Sequence, residues 1–164
     1  MTAIAVTGHI DLSPASLPGL RAAVTEYLRG QAPPLTGLSC LAAGADALFA
    51  EAVLALGGRL VAVVPAADYR ATQVSADYAP AFDRLLGAAA EVVAVPHAQA
   101  GPAAYRAANE VLLSRADRLL ALWDGAWAER PGGTADMVRA ARAAGLPVDV
   151  RWPPGSSRST PAPA

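Results

Sequence analysis

Several groups of residues in this 164-residue chain have types and spacings suited to holding an anion. Pro131, Gly132, Gly133 and Thr134 close a loop and lead into helix-forming residues that run to Gly145. Two glycines let a backbone approach a ligand closely, and a Thr at this place can cap the helix behind it. Free N–H groups and the positive end of the helix dipole then face the ligand, and phosphate commonly fills such a site. Gly8 and His9 form a second group, in which the glycine admits a phosphate and the imidazole donates to it. Gly44, Ala45 and Asp46 form a third. Gly44 permits close approach, while Asp46 either meets a ribose hydroxyl or ligand amine, or is a first-turn acid that stabilises a helix dipole. Asp124 either contacts ribose or begins an ordinary Asp-Gly turn, and Asn109 either hydrogen-bonds across a cleft or pairs within the helical layer. Trp123 reads as core or cleft wall. Trp127 reads as a loop aromatic able to stack on a base.

The elements that must position these groups follow from the apolar runs. Strands are expected over 3–7, 35–41, 59–64, 91–95, 119–123 and 147–152, each a short apolar stretch of the kind a buried parallel strand shows. Helices are expected over about 14–29, 46–56, 78–89, 103–115 and 134–145, from apolar spacings of three and four. Residues 66–76 are less regular and carry Asp68, Tyr69, Arg70 and Gln73. Tyr69 and Arg70 either close over a ligand or decorate an exposed loop. Strands separated by helices, without internal repeat, predict an α/β fold: one Rossmann-like domain over 1–152, with a parallel sheet of about six strands and helices on both faces. Ligands of such sheets lie beyond the carboxyl ends of the strands, where strand order reverses. All the loops named above fall at that end. Residues 153–164, PPGSSRSTPAPA, read as a disordered tail from composition.

Composition narrows the partners. Thirteen basic and fourteen acidic residues give a formal charge of −1, which argues against nucleic acid and gives no reason to expect a membrane surface as partner, so the anion expected at these loops is a small-molecule nucleotide. Every basic residue is Arg, which removes P-loop, Schiff-base and pyridoxal-anchoring lysines. Cys40 is the single cysteine, so a disulfide within the chain and a multi-cysteine zinc site are excluded. Its apolar neighbours predict a buried structural thiol. No metal and no cofactor is expected. The N-terminus lacks a signal-peptide pattern, and no apolar run reaches the roughly 18 residues of a membrane span, so a cytoplasmic location is expected.

Gly44-Ala45-Asp46 within LAAGADALFAEA, the helical segment with Asn109, and the late Gly-Gly-Thr together resemble the SLOG superfamily over residues 4–150. These Rossmann-like proteins include phosphoribohydrolases of the LOG type, DNA-processing protein A and bacterial nucleotide sensors. The resemblance implies a nucleotide site and, since relatives of this type often dimerise, a homo-oligomer. The chain departs from the pattern in two places. LOG-type hydrolases carry PGGxGTxxE with a catalytic Glu, whereas the position three beyond Thr134 is Met137. Asp136 lies one residue earlier, and on a helix that turns a side chain by about 100 degrees. DNA-processing protein A carries Arg-Asn-Arg where this chain has Ala108-Asn109-Glu110.

These readings converge on a protein that binds a nucleotide or phosphorylated nucleoside and acts as a sensor or carrier. Gly8, His9, Gly44, Ala45, Asp46, Asn109, Asp124, Gly132, Gly133 and Thr134 are the binding residues. Whether it is an enzyme stays open, and Asp136 is the candidate catalytic acid. If Asp136 is no catalyst, a carboxylate beside a phosphate is expected to point away from it. Two alternatives remain: an N-glycosidase, phosphoribohydrolase or deoxyribosyltransferase-like enzyme, and an oligomerisation module with a vestigial site.

Overall fold

The structure, a computed structural model, describes residues 1–159. Its sheet is built from β1 (Thr2–Gly8), β2 (Leu35–Ser39), β3 (Arg59–Val64), β4 (Glu91–Ala94), β5 (Arg118–Leu122) and β6 (Val148–Val150). The helices are α1 (Leu17–Arg29), α2 (Ala45–Ala55), α3 (Tyr69–Gln73), α4 (Ala79–Ala88), α5 (Pro102–Ser114) and α6 (Thr134–Ala143). The strands pair in parallel in the order β4-β3-β2-β1-β5-β6. The chain therefore steps outward from β1 to β4, returns through α5 to lay β5 on the other side of β1, and ends at β6. Strand order reverses between β1 and β5, and the expected α/β, Rossmann-like parallel sheet of six strands is present.

Two-residue alternation assigns the strand side chains to opposite faces. Ile4, Val6, Leu120 and Leu122 pack with α1 and α2 through Leu20, Val24, Leu48 and Phe49. Ala5, Leu119 and Ala121 pack with α5 and α6 through Ala108, Leu112, Met137 and Val138. A third cluster joins α2, β3 and α4 through Ala50, Leu60, Phe82 and Leu85. Burying both faces is why the strands read as apolar runs.

The boundaries differ from expectation at a few points. Residues 14–16 form a 3-10 turn, and α1 begins at Leu17 with Pro18 in its first turn, where a missing N–H costs nothing. β2 stops at Ser39 because Leu41 takes φ 58, outside strand geometry. The irregular stretch 66–76 contains the short helix α3.

The C-terminal segment differs most. Residues 153–159, expected to be tail, pack along the loop that follows β1. Leu12 and Arg158 form an antiparallel bridge, Ser13 N–H donates to the Ser157 carbonyl at 3.0 Å, and Ser157 N–H donates to Ser16 Oγ at 2.8 Å. Arg158 Nε donates to both carboxylate oxygens of Asp11, at 2.9 and 3.1 Å. Composition flagged a segment unable to bury apolar area, but its backbone, hydroxyls and one guanidinium all find polar partners. Residues 160–164 of the expected tail lie outside the described residues.

Ending the chain after Trp152 removes this strap and uncovers Leu12 and Ser16, which are 8% and 5% exposed. The truncated protein is expected to unfold at lower denaturant, and Arg158→Ala alone to cost about 1–3 kcal/mol, the range for losing charge-assisted hydrogen bonds. Urea melts followed by circular dichroism check this, and an unchanged midpoint for both variants refutes it.

Candidate functional site

At the point where strand order reverses, the carboxyl ends of β1 and β5 lie side by side, with Gly8 opposite Leu122. A Cβ at Gly8 would collide with Ala45 Cβ and stand 2.7 Å from the Leu122 carbonyl oxygen, so only glycine lets β1, β5 and α2 meet here. His9 N–H donates to the Leu122 carbonyl at 3.2 Å, and the His9 carbonyl accepts Ala45 N–H at 3.1 Å. Gly44 has φ +80, and a Cβ there would stand 2.5 Å from the His9 carbonyl oxygen. Gly8, Gly44 and Ala45 are thus brought together as expected, but their close approach is to each other rather than to an open space.

The His9 side chain is 8% exposed, set edge-on against Trp152, and paired with Asp124. Its Nε2 lies 3.0 Å from Asp124 Oδ1, to which it donates when it carries a proton, and 3.2 Å from the Asp124 N–H, which it accepts when it does not. Burial and the Arg158 charge push the His9 pKa down, against the pull of Asp124, and so favour the neutral ring. Burial alone would raise the Asp124 pKa, but the Ala126 N–H, His9 and Arg158 outweigh it and hold the carboxyl below its usual value. Arg158 NH1 lies 3.9 Å from Asp124 Oδ2. His9 was expected as a phosphate donor. Instead it orients Asp124, because the strap and Trp152 enclose the ring.

The second half of the site is the loop before α6. Asn109 on α5 donates its amide to the Gly132 carbonyl at 3.4 Å, and a Cβ on Gly132, at φ +75, would stand 2.6 Å from Tyr105 Cβ. Gly133 is the N-cap residue and no side chain caps the helix, so Thr134 occupies the first helical position rather than the capping one. Gly133 N–H donates to the Arg130 carbonyl at 3.0 Å, and Gly132 N–H donates to Asp136 Oδ2 at 2.8 Å. The backbone donors of both glycines, expected to grip phosphate, therefore serve the loop itself. The first backbone bond of the helix type runs from Met137 N–H to the Gly133 carbonyl, which leaves the N–H groups of Thr134, Ala135 and Asp136 without helical acceptors. Asp136 turns back onto the loop instead of away from it. Arg106 Nε and Arg139 NH1 each lie 3.7 Å from its carboxylate. Arg139 also sits 5.4 Å over the Trp127 ring, which is 56% exposed and stacked edge-on against Trp123.

Asp46 belongs to neither half. It is 8% exposed in the first turn of α2, and Oδ2 accepts the Ala42 N–H at 3.3 Å. Leu41, at φ 58, is fixed by Ser39 Oγ at its N–H and by the Tyr78 hydroxyl at its carbonyl, 3.0 and 2.7 Å away. A buried β-carbon in the left-handed region is strained, and these bonds hold it there. Asp46 braces this loop from within. Burial lifts its pKa to about 7, against the lowering effect of the backbone N–H groups of Ala42 and Cys40 and of Ser39. Cys40 is half-buried beside this loop, and burial raises its thiol pKa, with the Asp46 charge adding to the rise.

Other candidates are placed elsewhere. Arg70 forms an exposed two-point pair with Asp83 at 2.7 and 2.8 Å, and Tyr69 is buried against Phe82. Asp11, Arg158, Arg106 and Arg139 escaped the sequence reading, since no motif marks them and Arg158 lay in the presumed tail. Two surface concavities, of about 710 and 400 Å³, lie along α1 and around Tyr27, Arg118 and Asp149. Neither touches the carboxyl ends of β1 and β5, where the polar groups converge, so polar geometry and not cavity size marks the candidate site. Among the described residues no group of three or more His, Cys, Asp or Glu can hold a metal, and no helix is long and apolar enough to cross a membrane.

Asp46 predicts a pH dependence. Its carboxyl binds a proton more tightly in the folded chain, at about 7 against 3.8 unfolded. Its contribution is complete below about pH 3.8 and is lost as pH rises through about 7. Asp46→Asn keeps an acceptor for Ala42 N–H without the buried charge. Melts from pH 5 to 8 should show wild type losing stability relative to this variant, and parallel profiles would remove Asp46 as the cause.

No family model and no curated protein matches the chain. Solved structures do. DNA processing protein A from Streptococcus pneumoniae superposes with a TM-score of 0.67 at 17% identity, over 92% of this chain and 50% of that one. DNA processing protein A from Helicobacter pylori, described for its single-stranded DNA binding mode, gives 0.67 at 15% identity, over 96% and 68%. The Moco carrier protein of Chlamydomonas rheinhardtii gives 0.56 at 16% identity, over 91% and 74%. The chain spans half the length of the first of these. The Helicobacter neighbour overturns the exclusion of nucleic acid drawn from net charge. A total of −1 averages over the whole surface, whereas Arg106 and Arg139 meet at Asp136 and Arg139 lies over the exposed Trp127. At the level of fold the resemblance read from the sequence holds: this chain has the Rossmann-like α/β fold of these neighbours.

Proposed function

We propose that the carboxyl-end crevice beside β1 and β5 binds a nucleotide or phosphorylated nucleoside and holds it without turning it over. The observation that carries this reading is the start of α6. Three N–H groups without helical acceptors, from Thr134 to Asp136, stand in the loop after β5, next to the reversal of strand order. The helix dipole adds to their pull on an anion, Thr134 brings a hydroxyl, and Arg106 and Arg139 bring guanidinium forks. Trp127 offers an exposed ring for a base. Asn109 and Asp136 shape the loop, while His9, Asp124 and Gly44 hold the opposite strand end. A passive role follows from the carboxylates. Met137, where the hydrolases keep their acid, is 2% exposed and packed in the core. Asp124 and Asp136 are each engaged by backbone donors and arginines.

A second reading, single-stranded DNA, is favoured by the Helicobacter neighbour and by the pairing of Arg139 with the exposed Trp127. Bases stack on such rings while the phosphates meet the basic groups.

Tryptophan fluorescence and calorimetry with a panel of nucleoside phosphates and a single-stranded oligonucleotide test both. Saturable binding of one nucleotide is expected, weakened about tenfold by Thr134→Val with the fold retained, as the loss of one good hydrogen bond requires. Oligonucleotide binding without nucleotide binding selects the second reading. Free base released by wild type and not by Asp136→Asn makes the protein a hydrolase and overturns the passive role.

A further inference from the structure

Residues 153–159 form a strap over the loop after β1, and its fastenings are almost wholly polar. Ser13 N–H donates to the Ser157 carbonyl at 3.0 Å, Ser157 N–H to Ser16 Oγ at 2.8 Å, and Ser159 N–H to the Asp11 carbonyl at 2.6 Å. Its one charged residue, Arg158, donates to the Asp11 carboxylate and comes within 3.9 Å of Asp124 Oδ2. Under this cover lies His9, 8% exposed, with the Trp152 ring edge-on at 5.5 Å and Nε2 3.0 Å from Asp124 Oδ1. Arg158 and His9 thus approach the two oxygens of one carboxylate. A segment held by hydrogen bonds, with Pro154, Gly155, Ser157 and Ser159 exposed, opens at far lower cost than the sheet beneath it.

We propose that this strap is an acid-released latch over the carboxyl ends of β1 and β5: protonation of His9 sets a second positive charge beside Arg158 and lifts residues 153–159 off the loop after β1. The inference goes beyond the nucleotide reading and stands whether or not that reading does. The charged groups that face the ring are Asp124 from the loop after β5, Asp11 from the loop after β1 and Arg158 from the strap itself. With the strap closed, burial denies an imidazolium its water and Arg158 repels it. Together these outweigh the attraction of Asp124 and Asp11 and hold the ring neutral. With the strap lifted, the ring regains water and loses Arg158, while Asp124 stays beside it. The open form therefore binds the proton more tightly than the closed one, and acid draws the equilibrium toward opening. Closure is strongest above the ordinary histidine value of 6.5 and weakens as pH falls from there toward the lower value of the closed form. Asp46 titrates in the same range, at about 7, but it braces residues 39–42 and its effect has the opposite sign.

Amide hydrogen exchange followed by NMR from pH 7.5 to 5, corrected for the intrinsic rate, reads opening at the Ser13 and Ser157 amides. The His9 imidazole resonances read protonation in the same samples. In wild type the protection of both amides is expected to fall about tenfold over this range, the ratio of His9 proton affinities in the open and closed forms. The amides of the β1–β5 ladder should keep their protection. His9→Gln keeps an acceptor for Asp124 N–H and cannot take a charge, so its strap protection should stay level. Arg158→Gln keeps a donor for Asp11 without the charge, and His9 should then titrate at higher pH than in wild type. The inference is overturned if wild-type protection stays level, if it falls equally in His9→Gln, or if the β1–β5 ladder falls with it. Should His9→Gln not fold, Arg158→Gln decides: a His9 titration unmoved by loss of the guanidinium overturns the inference, and one moved upward alongside the wild-type fall upholds it.

Discussion

The meeting of β1, β5 and α2 at Gly8 is the contact on which the rest depends. There is no room for a Cβ between Ala45 and the Leu122 carbonyl, so the two strand ends and the start of α2 are drawn together at one residue. His9 then bonds to β5 through its N–H and to α2 through its carbonyl. Once those bonds form, Asp124 is delivered to the imidazole and the loop after β5 starts from a fixed point. The topology places the reversal of strand order here, and the packing of one glycine turns that crossover into a rigid corner. Larger residues at Gly8 would part the strands before they disturbed any ligand.

A second theme is that the polar groups at this end of the sheet satisfy one another. Asp46 takes a backbone N–H of its own loop, Asp124 takes His9 and Ala126, Asp136 takes Gly132, and Arg158 takes Asp11. An unpaired buried polar group is costly, and the described side chains leave none. The outcome is a strand-end crevice whose polar side chains are held in place by partners from within the chain.

Arginine carries all of the positive charge, and its placement shows how little a net charge says about a surface. Arg106 and Arg139 converge on the α6 loop although the chain is nearly neutral. Elsewhere arginines are used in exposed pairs such as Arg70 with Asp83, or Arg59 and Arg115 with Glu91. Such exposed pairs contribute little to stability, being screened by water and salt. The distribution of charge, unlike its sum, is a property of the folded surface.

The sequence alone determined the architecture, because a strand buried on both faces must be an apolar run and a helix covering it must repeat its apolar residues every three to four positions. Six such runs with helices between them admit little but a parallel sheet, and the positions of Gly8, Gly44 and the Gly132-Gly133 pair already marked the loops at the carboxyl ends of its strands. The partners of each polar group were decided only by tertiary structure. Gly8 and Gly44 read equally as ligand-facing or as packing residues until Ala45, Leu122 and the His9 carbonyl were seen beside them. His9 and Asp124, 115 residues apart, have no local pattern that joins them. Arg158 looked like part of a disordered tail, since composition measures apolar area and not the hydrogen bonds that a segment finds on a distant loop. Asp136 has the sharpest contrast: helical spacing gave its angular position, but whether its carboxylate met solvent, ligand or Gly132 depended on a loop whose shape is set by Asn109 and Tyr105 from another helix. Local pattern fixes elements because it acts through the backbone, whereas the direction of a charged side chain is settled by whichever partners the fold brings within reach.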